Sequence, residues 1–379
     1  MHLDPWIFTA GLSLITLGLL MVTSASMVIS ERQFNYPFHF LFHQGAYLVL
    51  GVILGVAAFR VSLEQWRIIG TYLFVICLLL LILVLVPGIG HKVNGSTRWL
   101  GFGPLTLQVS ELTKFSVILY LGGYLVRRDE EIKTSLFGFL KPLFLLGIIS
   151  ILLLLEPDFG ATTVILLTSL GVMFLAKVRI WQFSALFLMV AVALVVLAVS
   201  SPYRLQRITT FLHPWENPYD SGYQLTQSLI AFGRGGLFGV GLGNSIQKLF
   251  YLPEAQTDFL FAVLAEELGF LGECLVIVLF IMLVGRAMRI GKQAMLQEKS
   301  FEAYVAFGFG LWLGIQALIN MGVSSGLLPT KGLTLPLMSY GGNSLLINCV
   351  VLAILLRISH DCRASKTQVI RKKIVRHKV

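Results

Sequence analysis

The sequence predicts an all-α polytopic membrane protein with about ten transmembrane helices and a long extracytoplasmic loop between the seventh and eighth helices. The first observation is composition. The 379 residues are 56% hydrophobic and 13% charged, with a mean hydropathy of +0.83, whereas soluble domains carry about 25% charged residues. The second is size, because aqueous cores stop growing near roughly 250–300 residues. The third is that the apolar runs each approach the roughly 20 residues that cross a bilayer.

The apolar runs place the helices in order along the chain. Glu156, Pro157 and Asp158 interrupt one long apolar stretch, and because charge and proline belong at helix ends they divide it into a fifth and a sixth helix. The predicted helices are 6–29, 40–60, 66–87, 109–126, 137–155, 161–176, 180–200, 258–285, 302–324 and 343–358.

The basic residues predict the orientation. Of the 29 Lys and Arg residues, 19 fall in segments on the side of the two termini and 8 on the opposite side, so both termini should be cytoplasmic. The run 6–29 is too long for a cleaved signal peptide and should remain as an anchor. We expect one transmembrane domain, 1–358, followed by a basic cytoplasmic tail, 359–379, that contacts anionic membrane lipids and not nucleic acid. The four cysteines indicate no disulfide framework.

The loops indicate which face carries chemistry. The extracytoplasmic loop 201–257 is rich in glycine and contains an amphipathic stretch, 223–232, suited to the membrane interface. The outer loops 88–108 and 325–342 also carry glycine, proline and isolated charges, whereas the inner loops are short connectors. Any active site is therefore expected on the outer face.

Carboxylates at the head of the eighth helix allow two interpretations. Thr257 or Asp258 could be the N-cap of that helix, or Asp258 could be a general base at the rim of an outward-facing cavity. Glu266 shares a helix face with Asp258 and should face protein or water. A buried polar clamp between helices is the favoured interpretation of Glu266.

Charged and polar residues of the fourth and ninth helices also allow alternatives. Glu111 and Lys114 are three residues apart and can form a structural ion pair, or Lys114 can hold a phosphate together with Arg98 from the preceding loop. On the ninth helix, polar side chains recur at four-residue intervals, which is typical of contacts between membrane helices. These are Gln316, Asn320 and Ser324.

Gly341 and Gly342 precede the last helix and could present backbone N–H groups to an anion, although a simple helix-starting turn is the commoner use. The seven histidines show no paired ligand spacing, and no nucleotide-binding fingerprint occurs. A divalent cation, Mg²⁺ or Mn²⁺, held loosely on carboxylates stays open.

Taken together, these motifs resemble the SEDS family (shape, elongation, division and sporulation proteins) over nearly the whole chain. The matching stretches are Asn94-Gly95 to Trp99, Gln108-Val109-Ser110-Glu111 to Lys114, Glu156-Pro157-Asp158, Pro253 to Phe259, Glu266-Glu267-Leu268-Gly269, Pro329-Thr330-Lys331-Gly332 and Ser339-Tyr340-Gly341-Gly342. The stretches 241–245 and 328–336 are similar to the cell-division branch of that family.

The resemblance implies a peptidoglycan glycosyltransferase of the bacterial inner membrane that polymerises lipid II at the division septum. It implies a class B penicillin-binding transpeptidase and other divisome proteins as partners. Asp258 matches the family's essential aspartate and would be the general base of an inverting transfer. Arg98, Lys114 and Lys331 are the candidates for binding the leaving diphosphate. The supporting residues would be Glu111, Glu254, Thr257, Glu266, Ser339, Gly341 and Gly342.

Three positions depart from the family pattern: Gln256 replaces the usual histidine, Val109 the usual proline, and Asn343 the usual serine. Two other functions fit the same helices and charges. One is a flippase that moves lipid II across the bilayer, and the other is a scaffold that only recruits the transpeptidase.

Overall fold

The structure is a computed structural model that describes residues 3–93, 96–102, 105–176, 180–200, 209–220 and 222–376. Its helices are α1 Pro5–Phe34, α2 His39–Arg60, α3 Leu63–Val84, α4 Val109–Arg127, α5 Asp129–Thr134, α6 Leu136–Leu155, α7 Phe159–Leu175, α8 Ile180–Val199, α9 Tyr223–Gly235, α10 Leu260–Met295, α11 Ser300–Ser324 and α12 Gly342–Arg376. Its strands are β1 Gly90–Val93, β2 Ser96–Phe102 and β3 Leu105–Gln108.

A helix occurs at each of the ten predicted positions, and the fold is a polytopic helical membrane protein. Among the described residues, eight helices are long and apolar enough to span a bilayer: α1, α2, α3, α4, α6, α10, α11 and α12. Helix α7 is apolar but has 17 residues. The ends differ from prediction most at α10 and α12. Helix α12 continues into the basic tail, and α10 ends at Met295 instead of at the predicted residue 285.

The connection between α3 and α4, predicted as a loop, contains a small antiparallel sheet with strand order β1-β2-β3. Trp99 of β2 pairs with Gln108 of β3, directly before α4 begins at Val109. Leu100, the next residue of β2, is 2% exposed and anchors the sheet on the apolar ends of the helices. The sheet therefore holds the 96–108 segment against the head of α4.

Helix α4 is the central helix of the bundle. It contacts α3, α7 and α11 and buries polar as well as apolar side chains, including Thr113, Lys114 and Ser116. Helix α2, in contrast, exposes apolar side chains such as Phe42 and Ile53 outward. Outward apolar faces of this kind are what a lipid-facing helix requires, whereas polar groups belong in the interior.

Small residues set the close contact of α2 with α12. Gly51 and Gly55 are one helical turn apart, and a Cβ at Gly51 would lie 3.1 Å from the Cys349 Sγ atom. Small residues at this spacing let membrane helices approach closely. The contact brings the N-terminal ends of α2 and α12 together.

Helix α10 breaks at Gly269, which has φ 64° and ψ −165°. A Cβ there would lie 2.3 Å from the Gly239 backbone nitrogen, so only glycine fits. The 236–241 segment pairs with the broken turn through Val240 N to Glu266 O (2.9 Å) and Phe270 N to Gly236 O (2.9 Å). The backbone groups freed by the break are thus paired within protein, as membrane depth requires.

The 201–257 connection, predicted as a long loop, is partly helical and packs along α10. Its amphipathic stretch, which was expected to suit the membrane interface, forms the helix α9 and contacts α10. The Glu266 carboxylate accepts hydrogen bonds from Ile246 N (3.1 Å) and Ser245 Oγ (2.5 Å), and contacts Arg234 at 3.1 Å. The adjacent Glu267 binds the Lys248 ammonium at 2.7 Å and the Ser24 hydroxyl of α1 at 2.7 Å. Glu266 is buried as expected, and it joins α10 to α9 through Arg234 and to the 245–246 connection through its hydrogen bonds.

At the end of the bundle that carries the N-terminus, one carboxylate joins three helices. Asp4 accepts hydrogen bonds from Arg286 (2.7 Å), Arg363 (2.6 Å) and Ser359 (2.8 Å). Burial alone would raise the pKa of Asp4, but the hydrogen bonds and charges of these partners outweigh it and hold that pKa below its ordinary value.

Candidate active site

A polar cavity of about 950 Å³ lies at the opposite end of the bundle from Asp4. The sheet, the heads of α2, α4 and α12, the α6–α7 turn, and the connections before α10 and α12 form its wall. Eight of the predicted site residues line it: Arg98, Glu111, Glu254, Thr257, Asp258, Lys331, Gly341 and Gly342. Lys114, Glu266 and Ser339 do not.

Asp258 lies two residues before α10 begins. The predicted N-cap role is wrong, because Phe259 stands at the N-cap and no side chain caps the helix. Instead, the Glu254 carbonyl accepts the backbone N–H groups of Thr257, Asp258 and Phe259 at 3.1–3.2 Å. This turn places Asp258 on the cavity wall, and its carboxylate does not cap the helix.

Two neighbours fix Asp258 from the other side. The Asn320 side-chain amide donates to the Asp258 carbonyl at 2.8 Å and to the Leu333 carbonyl at 2.6 Å. A Cβ at Gly332 would lie 2.8 Å from Asp258 Oδ2, so the absent side chain leaves room for the carboxylate. Helix α11 and the connection after it therefore set the position of Asp258.

Glu254 and Thr257 are coupled to each other. The Thr257 hydroxyl donates to Glu254 Oε2 at 2.8 Å, and Glu254 adopts φ 56°, which is uncommon for a residue with a side chain. That conformation turns its carbonyl toward the three N–H groups. Both residues act on the shape of the turn that carries Asp258.

Arg98 reaches the cavity from β2, and its side chain is 26% exposed. Its guanidinium donates to the Glu156 carbonyl at 3.3 Å and to the Pro157 carbonyl at 2.5 Å, and it lies 3.9 Å from Asp158 Oδ2. The α6–α7 turn therefore holds this cation at the wall.

Lys331 is the second cation on the wall. Its ammonium lies 4.1 Å from the centroid of the Phe159 ring, within the range of a cation–π contact. Phe159 lies directly after the α6–α7 turn whose carbonyls accept from Arg98. One segment therefore positions both Arg98 and Lys331.

The Glu111–Lys114 ion pair predicted from spacing is confirmed, with Lys114 Nζ 2.8 Å from Glu111 Oε1. Lys114 is buried beneath the cavity, where it also donates to Gln316 Oε1 at 2.7 Å and lies 5.1 Å from the Trp312 ring centroid. The Gln316 amide donates in turn to the Thr334 carbonyl at 2.9 Å.

Of the polar stripe of α11, Gln316 joins that helix to α4 as predicted, whereas Asn320 bonds to the connections before α10 and α12. The Ser324 hydroxyl has no hydrogen-bond partner within the described part of the chain.

The segment before α12 is tied to α2 by Gln44. Its amide donates to the Ser339 carbonyl at 3.1 Å and accepts from Gly341 N at 3.3 Å. The Ser339 hydroxyl accepts from Leu335 N at 2.9 Å, so Ser339 supports the loop and does not reach the cavity. Gly342 lets the Tyr47 ring pack against it, since a Cβ would lie 2.5 Å away.

The three departures from the family pattern lie at or beside the cavity. At Gln256 the backbone carbonyl, which any residue would supply, accepts from Tyr340 N at 2.9 Å and links the two connections that flank the cavity. Val109 is the first residue of α4, a position that proline also favours. The Asn343 amide donates to the Thr106 carbonyl at 2.7 Å and joins α12 to β3.

Several residues of the cavity wall were not among the predicted site residues. Asp158 lines the cavity and also accepts from Ala161 N at 3.1 Å as the N-cap of α7. Its place between two helices, beside a proline, was a usable signal. His43 and Tyr47 of α2 also line the cavity. His43 is an ionisable residue in an apolar helix, which was a usable signal, whereas nothing in the local sequence distinguished Tyr47.

Within the described ranges, no three His, Cys, Asp or Glu side chains converge on a position that could hold a metal ion. The carboxylates of the cavity wall therefore do not form a dedicated metal site in that part of the chain. A loosely held Mg²⁺ or Mn²⁺ ion stays a prediction.

Comparisons with known proteins agree with this architecture. Residues 5–364 match the family model FTSW_RODA_SPOVE, described as cell cycle protein. The chain belongs to this family, the SEDS proteins, and to its FtsW type.

Its relatives include two proteins named probable peptidoglycan glycosyltransferase FtsW. The one from Coxiella burnetii is 59% identical over 94% of this chain and 96% of that protein. The one from Legionella pneumophila is 56% identical over 95% of this chain and 91% of that protein.

Two solved structures share the fold. A chain from a peptidoglycan synthase complex, described as coordinating polymerization and crosslinking, superposes with a TM-score of 0.77 at 27% identity, over 96% of this chain and 99% of that one. The rod shape determining protein RodA of Thermus thermophilus superposes with a TM-score of 0.71 at 26% identity, over 95% of this chain and 98% of that one.

Proposed function

We propose that this protein is a peptidoglycan glycosyltransferase that polymerises lipid II into glycan strands at the division septum. The observation that carries the proposal is the 950 Å³ cavity that places the Asp258 carboxylate on one wall together with the cations Arg98 and Lys331. The names of the FtsW relatives support the reaction class.

Asp258 is proposed as the general base. The acceptor's sugar hydroxyl is a poor nucleophile at neutral pH, so a base that removes its proton during attack contributes typically 10²–10⁴ in rate. A single displacement inverts the anomeric centre, so an α-linked donor gives a β-linked strand. The turn from Glu254 and the amide of Asn320 hold Asp258 for this step.

The leaving group is proposed to be a polyprenyl diphosphate. Negative charge grows on it as the glycosidic bond breaks, and preorganised cations stabilise that charge best. Arg98 and Lys331 line the cavity and suit this role. Lys114 is 2% exposed, so we propose that it holds Glu111 and α11 in place beneath the cavity and does not contact the diphosphate.

The location and partners follow from the same proposal. The cavity would face the periplasm, with both termini in the cytoplasm, since 19 of the 29 basic residues then lie inside. A class B penicillin-binding transpeptidase would crosslink the new strand, which fits the structural likeness to a peptidoglycan synthase complex.

Polymerisation of purified lipid II tests the proposal. The protein would be co-purified with its transpeptidase, whose own active site is inactivated, and compared with Asp258→Asn. Asp220→Asn, the same change at an exposed residue of the 209–220 segment, is the matched control. Polymer from the wild type and the control, but not from a folded and partner-bound Asp258→Asn, is the expected result.

The other outcomes identify the alternatives. Polymer from Asp258→Asn would remove Asp258 as the essential base. No polymer from the intact wild-type complex, together with transfer of labelled lipid II across vesicles, would indicate the flippase. Absence of both activities would indicate a scaffold.

A further inference from the structure

Glu156 is a fully buried acid beside the cavity. It follows the last residue of α6, and its exposed fraction is 0%. Within the described part of the chain, both of its carboxyl oxygens lack a hydrogen-bond partner although both are buried. A buried carboxylate without donors is strongly unfavourable, so this environment favours a neutral acid.

The charge of Glu156 acts on a cation of the cavity wall, Arg98. Its own carbonyl and that of Pro157 accept hydrogen bonds from Arg98 Nε and Nη2. The same guanidinium lies 3.9 Å from Asp158, whose carboxylate is on the cavity wall. The α6–α7 turn therefore places two acids and one cavity cation in a single cluster.

Burial, assisted by the nearby Asp158 charge and opposed by the Arg98 charge, raises the pKa of Glu156 to about 8. Other charges around the cavity are the Lys331 ammonium over the Phe159 ring and the Glu111 carboxylate at the head of α4.

We propose that Glu156 is a positioning residue whose neutral form leaves the Arg98 guanidinium at the cavity wall to bind the diphosphate, and whose ionised form draws that guanidinium away. The inference rests on the proposed function, because it assigns the diphosphate of the donor to Arg98.

The physical reason is competition for one cation. A neutral acid offers Arg98 only the backbone carbonyls that already hold it. An ionised Glu156 adds a second carboxylate beside Asp158, and charge-assisted bonds to arginine are roughly twice as strong as neutral ones. The guanidinium then turns toward the two buried acids, and the diphosphate loses a partner.

This geometry predicts weaker donor binding at alkaline pH. With a midpoint of about 8, the neutral fraction of Glu156 falls roughly tenfold between pH 7 and pH 9. The KM for lipid II should rise by about the same factor, while kcat changes less, because binding and not proton removal is lost.

Two readouts on the same samples test the proposal. Infrared difference spectra between pH 7 and pH 9 should show loss of a protonated carboxyl band in the wild type, absent in Glu156→Gln. The KM for lipid II should rise about tenfold with pH in the wild type and stay within twofold in Glu156→Gln. Glu64→Gln, at an exposed carboxyl of α3, is the matched control and should keep the wild-type profile.

Glu156→Asp retains an ionisable group and should retain a rise of KM with pH, which protects the test against a glutamine variant that folds poorly. The proposal is overturned if the carboxyl band is absent from the wild type, or if Glu156→Gln keeps the wild-type pH profile. Absence of polymer from every protein would contradict the proposed function, while the infrared spectra would still report on Glu156.

Discussion

Lys114→Met is the substitution whose outcome the structure defines most closely. The lysine side chain is 1% exposed and donates to Glu111 Oε1 and Gln316 Oε1 at 2.8 and 2.7 Å. Methionine fills a similar volume without the charge. The substitution leaves the Glu111 carboxylate buried, and within the described residues its Oε2 atom already lacks a partner.

The expected loss is about 3–5 kcal/mol in the free energy of unfolding, because removing one member of a buried ion pair strands the other charge. The double variant Glu111→Gln, Lys114→Met leaves no buried charge unpaired, so its free energy of unfolding should fall by only about 1 kcal/mol.

Equilibrium unfolding in mixed detergent micelles, for the wild type, both single variants and the double variant, measures these differences. The double variant should be more stable than Lys114→Met. If Lys114→Met loses less than about 1 kcal/mol, or if the two single losses simply add, the buried ion pair does not have the energetic role that the geometry assigns to it.

Three further predictions address other parts of the molecule. Gly332→Ala should displace the Asp258 carboxylate, because the new Cβ would lie 2.8 Å from Oδ2. The rate of polymerisation should then fall at least tenfold while the free energy of unfolding stays the same. An unchanged rate would contradict the close contact between Gly332 and Asp258. Gly269→Ala should prevent proper folding and lower the detergent-soluble yield, because its Cβ would lie 2.3 Å from the Gly239 backbone nitrogen. In the control Gly285→Ala, in the same helix, the new Cβ meets nothing within 4 Å, so its yield should match that of the wild type. Asp4→Asn should destabilise the protein at neutral pH. The pKa of Asp4 is lower in the folded protein than its unfolded value near 3.8. The ionised carboxylate therefore stabilises the fold above pH 3.8, and this stabilisation is lost as the pH falls through the folded pKa. In strong acid the wild type and Asp4→Asn should have the same free energy of unfolding.

The helices and the location of the cavity follow from simple patterns in the sequence. Apolar length predicts the ten long apolar helices, although not the short charged helix α5. The positions of Glu111 at the start of α4, and of Asp258 and Lys331 in the connections before α10 and α12, predict where polar groups gather. The Glu111–Lys114 pair follows from three-residue spacing alone.

The rest depends on contacts between distant segments. The break at Gly269 requires the 236–241 backbone to approach α10, and nothing in the local sequence specifies that partner. The sheet between α3 and α4 is short and forms against the ends of the helices. Lys114 was a candidate for the diphosphate because spacing cannot show depth, and the structure places it beneath the cavity.

The most direct test of the central claim is a single-turnover measurement of glycosidic bond formation by the wild type and Asp258→Asn, each with lipid II already bound at equal occupancy. Loss of a general base predicts that the variant binds lipid II as the wild type does but forms the bond about 10²–10⁴ times more slowly. A rate within tenfold of the wild type at equal occupancy would contradict the assignment of Asp258 as the base in this cavity.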